Sequence, residues 1–220
     1  MERYLEACMA AERIIDMIEG MGLDWTNPHS IINQIDYYDM PDGMQYSYGA
    51  SRIVIWDTDY CDYVVKIALD ESYEKLCQHE VEVYQAAVKE GLEDNFAWCM
   101  CYSNPVQTGG YVPGIYVMEY VDCDEEAAYD SAWKYGYEEY CRQKGLDSSS
   151  YDAAEDYNDW NCGENEDMIL DYIESFMSGE QIKAFCVFMM KWWINDIHEQ
   201  NVALRPNGRM IIVDYAGWGW

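Results

Sequence analysis

The last 28 residues of the chain contain three side chains that could bind a metal ion. Asp196 and Asn201 stand five positions apart, and Asp214 follows an apolar run after the pair Asn207-Gly208. An Asn-Gly pair between two apolar runs is typical of a β-hairpin, which would bring Asn201 and Asp214 close together. Carboxylate and carbonyl oxygens are the ligands that Mg²⁺ prefers. The segment therefore brings oxygen-bearing side chains together, although an ordinary acidic hairpin would show the same residue types.

A lysine among apolar residues is the second feature that could do chemistry. Lys66 lies in VVKIAL, within a strand predicted over Tyr63–Leu69. A lysine on a buried strand is costly without a carboxylate partner. Glu80 lies on the apolar stripe of a helix predicted over 71–91, marked by Cys77, Val81, Tyr84 and Val88, whereas Glu82 is turned away. We expect Lys66 and Glu80 to pair. The alternative is a lysine whose tip reaches solvent and an exposed glutamate.

Periodicity and turn residues predict the elements that must position these side chains. In chain order we expect a helix over 3–20, turn-rich sequence over 23–45, strands over Ser51–Trp56 and Tyr63–Leu69, the helix over 71–91, and short strands near Ala97–Tyr102 and Ile115–Val121. Two helices near 124–144 and 164–177 should flank a looser middle. The last helix, Gly179–Ile194, is apolar on most faces and is therefore expected to be buried.

This order of elements resembles the protein-kinase-like superfamily, and most closely its small-molecule and atypical kinases, such as the aminoglycoside phosphotransferases. Their catalytic loop reads D-L-H-x-x-N, and residues 196–201 here read D-I-H-E-Q-N. The resemblance spans about residues 47–217. It implies an α+β protein-kinase-like fold, with an antiparallel N-lobe sheet, one packed helix and a reduced helical C-lobe.

The resemblance also implies a domain organisation of four parts. They are an N-terminal helix and loop (1–46), an N-lobe-like sheet and helix (47–121), an acidic, tyrosine-rich helical section (122–177), and a buried helix with the catalytic-loop-like and metal-loop-like hairpin (178–220).

Binding of ATP is the first activity that the resemblance implies. Lys66 would contact the α- and β-phosphates, with Glu80 as its partner. Gly49 would lie in the loop that covers the phosphates. Cofactor binding is thus expected at Lys66, Glu80 and Gly49.

Phosphoryl transfer is the second implied activity. Asp196 would be catalytic, orienting or deprotonating the attacking hydroxyl group, and Asn201 and Asp214 would hold Mg²⁺. His198 is expected to stabilise the loop by hydrogen bonding.

The sequence departs from the family pattern at three places. Gly49 is the only glycine near the first turn, where protein kinases carry several, and Ile194 stands where the family usually has histidine. Only six residues follow Asp214, so we expect a minimal, C-terminally truncated member. These departures leave open an active phosphotransferase or a pseudokinase.

The charge of the chain bears on its partners. Forty-two acidic and 13 basic residues give a net charge of −29. Residues 122–176 hold seventeen acids, three bases and seven tyrosines. Such a chain should be repelled by nucleic acid and anionic membranes and attracted to a basic protein or a cationic small molecule. A very soluble acidic protein, or one adapted to high salt, would have the same composition.

The same acidic section suggests an alternative function. A non-catalytic binding protein on a kinase-like scaffold, for example one encoded by a phage, could mimic nucleic acid before a basic host protein, because carboxylates can pair with Arg and Lys that normally hold phosphates.

Other compositional features predict a cytoplasmic protein. No stretch approaches the ~20 apolar residues of a membrane span, and the first 20 residues lack a secretory pattern. Nine cysteines, an odd number, fit a reducing compartment. With three histidines and one C-x-C pair, a structural zinc site is not expected.

Overall fold

The computed structural model describes residues 1–35, 42–58, 62–107, 110–121, 123–161 and 165–215. Within these ranges the chain forms two compact units. The first unit contains residues 1–86 and 97–120, and the second contains residues 87–96 and 121–220.

An antiparallel five-stranded sheet organises the first unit, in the order β1-β2-β3-β5-β4. Its elements are α1 (Glu2–Gly20), α2 (Pro28–Ile35), β1 (Met44–Tyr48), β2 (Arg52–Asp57), β3 (Tyr63–Ala68), α3 (Glu74–Glu90, continuing into the second unit), β4 (Cys99–Ser103) and β5 (Ile115–Glu119). The predicted α+β class with an antiparallel sheet is confirmed.

Helix α1 covers one face of this sheet. Its small side chains Ala7 and Ala11 are fully buried, together with Ile14. They belong to the same hydrophobic core as Ile53 of β2 and Ile67 of β3. Because neighbouring residues of a strand point to opposite faces, Lys66 of β3 lies on the other face.

Two elements of the first unit were not predicted. Residues 23–45 were expected to be turns, yet they include α2 and the start of β1. Helix α2 begins at Pro28, a residue that favours the first turn of a helix. Strand β1 is only five residues long and pairs in register with β2 from Met44 opposite Asp57 to Tyr48 opposite Ile53.

Helices and one hairpin make up the second unit. They are α4 (Glu125–Lys144), α5 (Tyr151–Asn161), α6 (Asn165–Glu174), α7 (Gly179–Trp192), β6 (Val202–Leu204) and β7 (Met210–Ile212). Phe96 belongs to this unit's core, where its ring centroid lies 5.5 Å from that of Phe188 and 5.3 Å from that of Tyr215.

The middle of the acidic section is helical, so the expectation of a looser segment was wrong. Helix α5 buries Ala153 and Tyr157, four residues apart on one face. Tyr157 packs edge-to-face against Trp133 of α4, and Tyr137 also lies against it. Aromatic packing thus holds a helix whose exposed face is acidic.

The expectation that α7 is buried on most faces was also wrong. Phe185, Phe188 and Met189 are buried, but Val187 is 57% exposed and Met190 69% exposed. A stripe at spacings of three and four residues is enough to pack the helix against Phe96. No helix of the described residues is long and apolar enough to cross a membrane.

Candidate functional site

Lys66 and Glu80 form a buried ion pair in the first unit. Lys66 is 7% exposed and Glu80 is 2% exposed. The Nζ atom of Lys66 lies 3.2 Å from both carboxylate oxygens of Glu80. The predicted contact is therefore present, and it fixes the ammonium group of β3 against helix α3. The exposed alternative is excluded for both side chains.

Arg52 adds a second cation to this pair. Its Nη1 atom lies 2.9 Å from Oε1 of Glu80, and its side chain is also buried. One carboxylate therefore contacts two cations in a place with little solvent. Buried charges are costly unless paired, so these contacts fix the positions of both cations.

Strand register places Arg52 beside Lys66. Val54 lies opposite Lys66 across β2 and β3, and Arg52 stands two residues before Val54 on β2. Residues two apart on a strand share a face. We did not single out Arg52 from the sequence, although this alternation within the predicted strand was a usable signal.

Glu74 anchors the start of α3 to the same sheet face. Its carboxylate accepts hydrogen bonds from the hydroxyl of Tyr116, from the hydroxyl of Tyr111 at 2.5 Å and from the backbone N–H of Gly114 at 3.1 Å. Burial raises the pKa of both tyrosines, and their hydrogen bonds to Glu74 raise it further. The phenols therefore stay neutral donors. The sequence did not reveal this network, because its partners lie 37 to 42 residues away.

The anchor has a consequence for the ion pair. Glu80 follows Glu74 by six residues, which is roughly 9 Å along the helix. With the helix fixed at its first turn, the position of the Glu80 carboxylate is also fixed. An added Cβ at Gly114 would lie 2.6 Å from Oε1 of Glu74, so glycine is required there for the close approach.

Gly49 lies in the turn between β1 and β2. Its N–H donates to the carbonyl of Arg52 at 3.1 Å, and a Cβ added there would meet nothing within 4 Å. Its backbone is not among the left-handed positions of the described residues. Neither local packing nor backbone conformation therefore requires a glycine at this position.

In the second unit, the loop after α7 carries Asp196. Helix α7 begins with a capping box between Ser178 and Gln181 and ends at Trp193 in the left-handed conformation. Ile194 is buried and its N–H donates to the carbonyl of Met189. An apolar side chain therefore packs two residues before Asp196.

Hydrogen bonds within this loop tie Asp196 to Asn201. The Nδ2 atom of Asn201 donates to the backbone carbonyl of Asp196 at 3.0 Å and lies 2.9 Å from Nε2 of His198. Nε2 of His198 lies 3.4 Å from Oδ1 of Asp196, and Nδ1 accepts from the N–H of Gln200. His198 thus has hydrogen-bond partners inside the loop, as predicted.

The hairpin brings Asp214 to Asn201. Strands β6 and β7 pair from Val202 opposite Ile212 to Leu204 opposite Met210. Beyond the strands, the carbonyl of Asn201 accepts from the N–H of Val213 at 2.9 Å and of Asp214 at 3.5 Å. The backbones of Asn201 and Asp214 are therefore neighbours, as the turn sequence predicted.

The donor set of this hairpin suits Mg²⁺ better than a transition metal. Among the described residues there is no group of three or more His, Cys, Asp or Glu side chains that could hold a metal ion. Mg²⁺ is commonly held by one or two carboxylates together with substrate phosphates. Because Nδ2 of Asn201 is engaged in the loop, its amide oxygen is the side-chain atom that would face a cation. The backbone of Asp214 lies next to that of Asn201.

The predicted residues therefore fall into two sets, each assembled within one unit. Lys66 and Glu80 are in contact in the first unit. Asp196, Asn201 and Asp214 are neighbours in the second unit.

Comparisons with known proteins complete these observations. No protein-family model and no curated protein matches the chain. Among solved structures, the chain is similar to the streptomycin–ATP–APH(2″)-IIa ternary complex, with a TM-score of 0.40 and 15% identity over 84% of this chain and 69% of that chain. It is also similar to the ADP-bound aminoglycoside phosphotransferase APH(2″)-Ib, with a TM-score of 0.38 and 15% identity over the same shares. These weak similarities do not assign the chain to a family.

Proposed function

We propose that this chain binds a magnesium–nucleotide complex and is a kinase-like phosphotransferase or a pseudokinase derived from one. The observation that carries the proposal is the buried ion pair of Lys66 and Glu80, with Arg52 beside it. Glu80 holds the Lys66 ammonium group in a fixed position on a rigid strand. A buried, positioned ammonium group of this kind suits binding of the phosphates of a nucleotide.

The residues of each unit have separate tasks in this proposal. Lys66 binds phosphate oxygens, and Glu80 holds its ammonium group in place. Asn201 and Asp214 hold Mg²⁺, which when bound neutralises charge on the phosphates. Asp196, with a side chain that is 44% exposed, can accept a proton from an attacking hydroxyl group.

The phosphoacceptor in this proposal is a cationic small molecule. A net charge of −29 gives no steering toward ATP, but it raises the local concentration of cations. Mg²⁺ offsets much of the charge of ATP, and screening limits the reach of the surface charge to ~8 Å at physiological salt. Nucleotide binding is therefore compatible with an acidic surface.

Calorimetric titration of Mg-ATP into the purified chain tests the proposal. We expect binding that is lost in Lys66→Met and retained in Lys75→Met, since Lys75 is an exposed lysine of the same helix-and-sheet unit. Equal binding by the two variants, or none by the wild type, would contradict the role of Lys66.

A second experiment separates the active enzyme from the pseudokinase. Asp196→Asn should keep Mg-ATP binding but lose phosphoryl transfer to an added amine-bearing alcohol. If the wild type binds Mg-ATP and transfers no phosphate to any such alcohol, the pseudokinase form of the proposal is supported.

The nucleic-acid-mimic hypothesis stays a prediction. It supposed that acids and tyrosines of residues 122–176 together face a partner. Of the seven tyrosines in this section only Tyr151 is exposed, and the others are partly or fully buried. Most of the tyrosine side chains in this section therefore pack internally and do not face a partner.

A further inference from the structure

A cavity of about 770 Å³ lies within the second unit, among helices α4, α5, α6 and the start of α7. Its size is in the range of small-molecule sites. Three aromatic side chains, Tyr140, Tyr157 and Trp160, line it together with acids of α6. None of the residues proposed above for nucleotide binding or phosphoryl transfer is among its lining residues.

The cavity and the catalytic-loop-like segment lie near opposite ends of helix α4. Gln200 contacts Glu125 in the first turn of α4, at 3.4 Å. Tyr140, on the cavity wall, is 15 residues further along the same helix, which is roughly 22 Å. The cavity is therefore a separate place, and an occupant there would not be the acceptor of a phosphate beside Asp196.

A row of carboxylates forms one side of the cavity. Asp167, Asp171 and Glu174 recur on α6 at intervals of four and three residues, so they share one face of the helix. Partial burial raises the pKa of Asp171, and the charges of Glu174 and Asp167 raise it further. A fourth acid on the wall, Glu139, pairs with Arg142, whereas Glu174 accepts a hydrogen bond only from the neutral thiol of Cys186, at 3.4 Å, among the contacts given for the described residues. The α6 carboxylates therefore repel one another and would gain from a cation.

A buried phenol supplies an independent sign of a ligand. Tyr157 is 1% exposed and lines the cavity. Among the hydrogen bonds of the described residues, none involves its hydroxyl group, and burial together with the charges of Tyr129 and Asp171 raises its pKa to about 12. The neutral hydroxyl therefore has no hydrogen-bond partner among the described residues and lies at the cavity wall, where a bound donor can reach it.

The fold makes room for that hydroxyl. A Cβ added at Gly136, in the middle of α4, would lie 2.2 Å from the Tyr157 oxygen. Glycine inside a helix costs about 1 kcal/mol relative to alanine. The chain therefore has a glycine where a helix disfavours it, and the space so created holds the phenol at the cavity wall.

The aromatic rings favour an ammonium ion over a hydrated metal ion. Tyr140, Tyr157 and Trp160 lie with ring centroids 5.3 to 5.9 Å apart. The ring of Tyr140 already makes a cation–π contact, because Nζ of Lys144 lies 5.9 Å from the ring centroid. Aromatic faces attract alkylammonium ions, which are more easily desolvated than Mg²⁺.

We propose that this cavity binds a linear polyamine, with its ammonium groups on Asp167, Asp171 and Glu174 and its methylene chain against the aromatic wall. Three or four methylenes between amines span about one helical turn, roughly 5 Å, which matches the spacing of the α6 acids. One ammonium group donates to the Tyr157 hydroxyl. The site is independent of nucleotide binding.

Calorimetric titration of spermine into the full chain tests this site. The double variant D171N/E174Q should weaken binding at least about tenfold, the loss expected for one charge-assisted hydrogen bond. The control D152N/D156N removes the same charge from the exposed face of α5 and should change the affinity less than about twofold. Equal losses in the two double variants would overturn the proposal.

Three further titrations distinguish the ligand class. Putrescine should bind more weakly than spermine, and Mg²⁺ at equal charge concentration should not displace spermine. Tyr157→Phe keeps the ring and should weaken spermine binding about threefold through the lost hydroxyl. If Mg²⁺ displaces spermine as effectively as spermine itself binds, the site attracts any cation and the polyamine proposal is wrong. If kanamycin, a rigid amino sugar, binds as tightly as spermine, the linear-chain assignment is wrong.

Discussion

Removal of the Glu80 carboxylate should destabilise the first unit more than removal of the Lys66 ammonium group. Glu80→Gln takes away a carboxylate that contacts both Lys66 and Arg52, at 3.2 Å and 2.9 Å. Lys66→Met leaves the contact between Glu80 and Arg52 in place. We therefore expect a larger loss of stability for Glu80→Gln than for Lys66→Met. The opposite order would be expected if Lys66, and not Glu80, made most of the contacts in this group.

The contacts set the size of each effect. Breaking a buried ion pair by removing one partner costs about 3–5 kcal/mol, because a charge remains in a poorly solvated place. Glu80 is 2% exposed, so we expect a loss of about 3–5 kcal/mol for Glu80→Gln. Lys66→Met replaces a charged side chain by an apolar one of similar length, and we expect it to lower the free energy of unfolding by about 1–2 kcal/mol.

Urea unfolding followed by tryptophan fluorescence measures both losses. Glu82→Gln is the matched control, since Glu82 is exposed on the same helix and should change stability by less than about 0.5 kcal/mol. If Glu80→Gln is no more destabilising than Glu82→Gln, the paired arrangement is refuted. If Lys66→Met is the more destabilising variant, Arg52 is not a partner of Glu80.

Three other substitutions follow from close contacts. Gly136→Ala should destabilise the chain despite the helix preference of alanine, because the new Cβ meets the Tyr157 oxygen. Adding Tyr157→Phe to this variant should partly restore stability. If the losses in unfolding free energy of the two single variants simply add in the double variant, this contact is contradicted. Gly114→Ala should cost about 1–3 kcal/mol by displacing Glu74, and an unchanged urea midpoint would argue against it. Ser178→Ala should lower stability by about 1 kcal/mol because it removes the N-cap of α7. Ser178→Thr should keep most of that stability, since threonine can also cap a helix.

Short-range patterns identified much of the candidate site. An apolar-flanked lysine and an acid on a helix stripe were enough to predict the contact between Lys66 and Glu80. The Asn207-Gly208 pair predicted a hairpin that brings Asn201 and Asp214 together. The observed register leaves a three-residue loop over 206–208, with Gly208 in the left-handed conformation. These predictions depend on spacing within a few elements, which the sequence displays directly.

Long-range packing was not visible in the sequence. Glu74 meets its partners 37 to 42 residues later, and no local pattern marks them. Helix α5 was missed because its acidic residues conceal a buried face formed only by Ala153 and Tyr157. Helix α7 was judged from hydrophobicity alone, although exposed apolar residues such as Met190 are normal on protein surfaces.

Thermal unfolding with and without Mg-ATP tests the central claim most directly. A ligand that binds only the folded chain raises its stability by about 2.7 kcal/mol at a hundredfold excess over Kd. We predict a saturable rise in Tm with millimolar ATP that requires Mg²⁺, is absent in Asp214→Asn, and persists in Asp94→Asn, an exposed acid of the same unit. No rise in the wild-type chain, or an equal rise in Asp214→Asn, would contradict a magnesium–nucleotide site built on these residues.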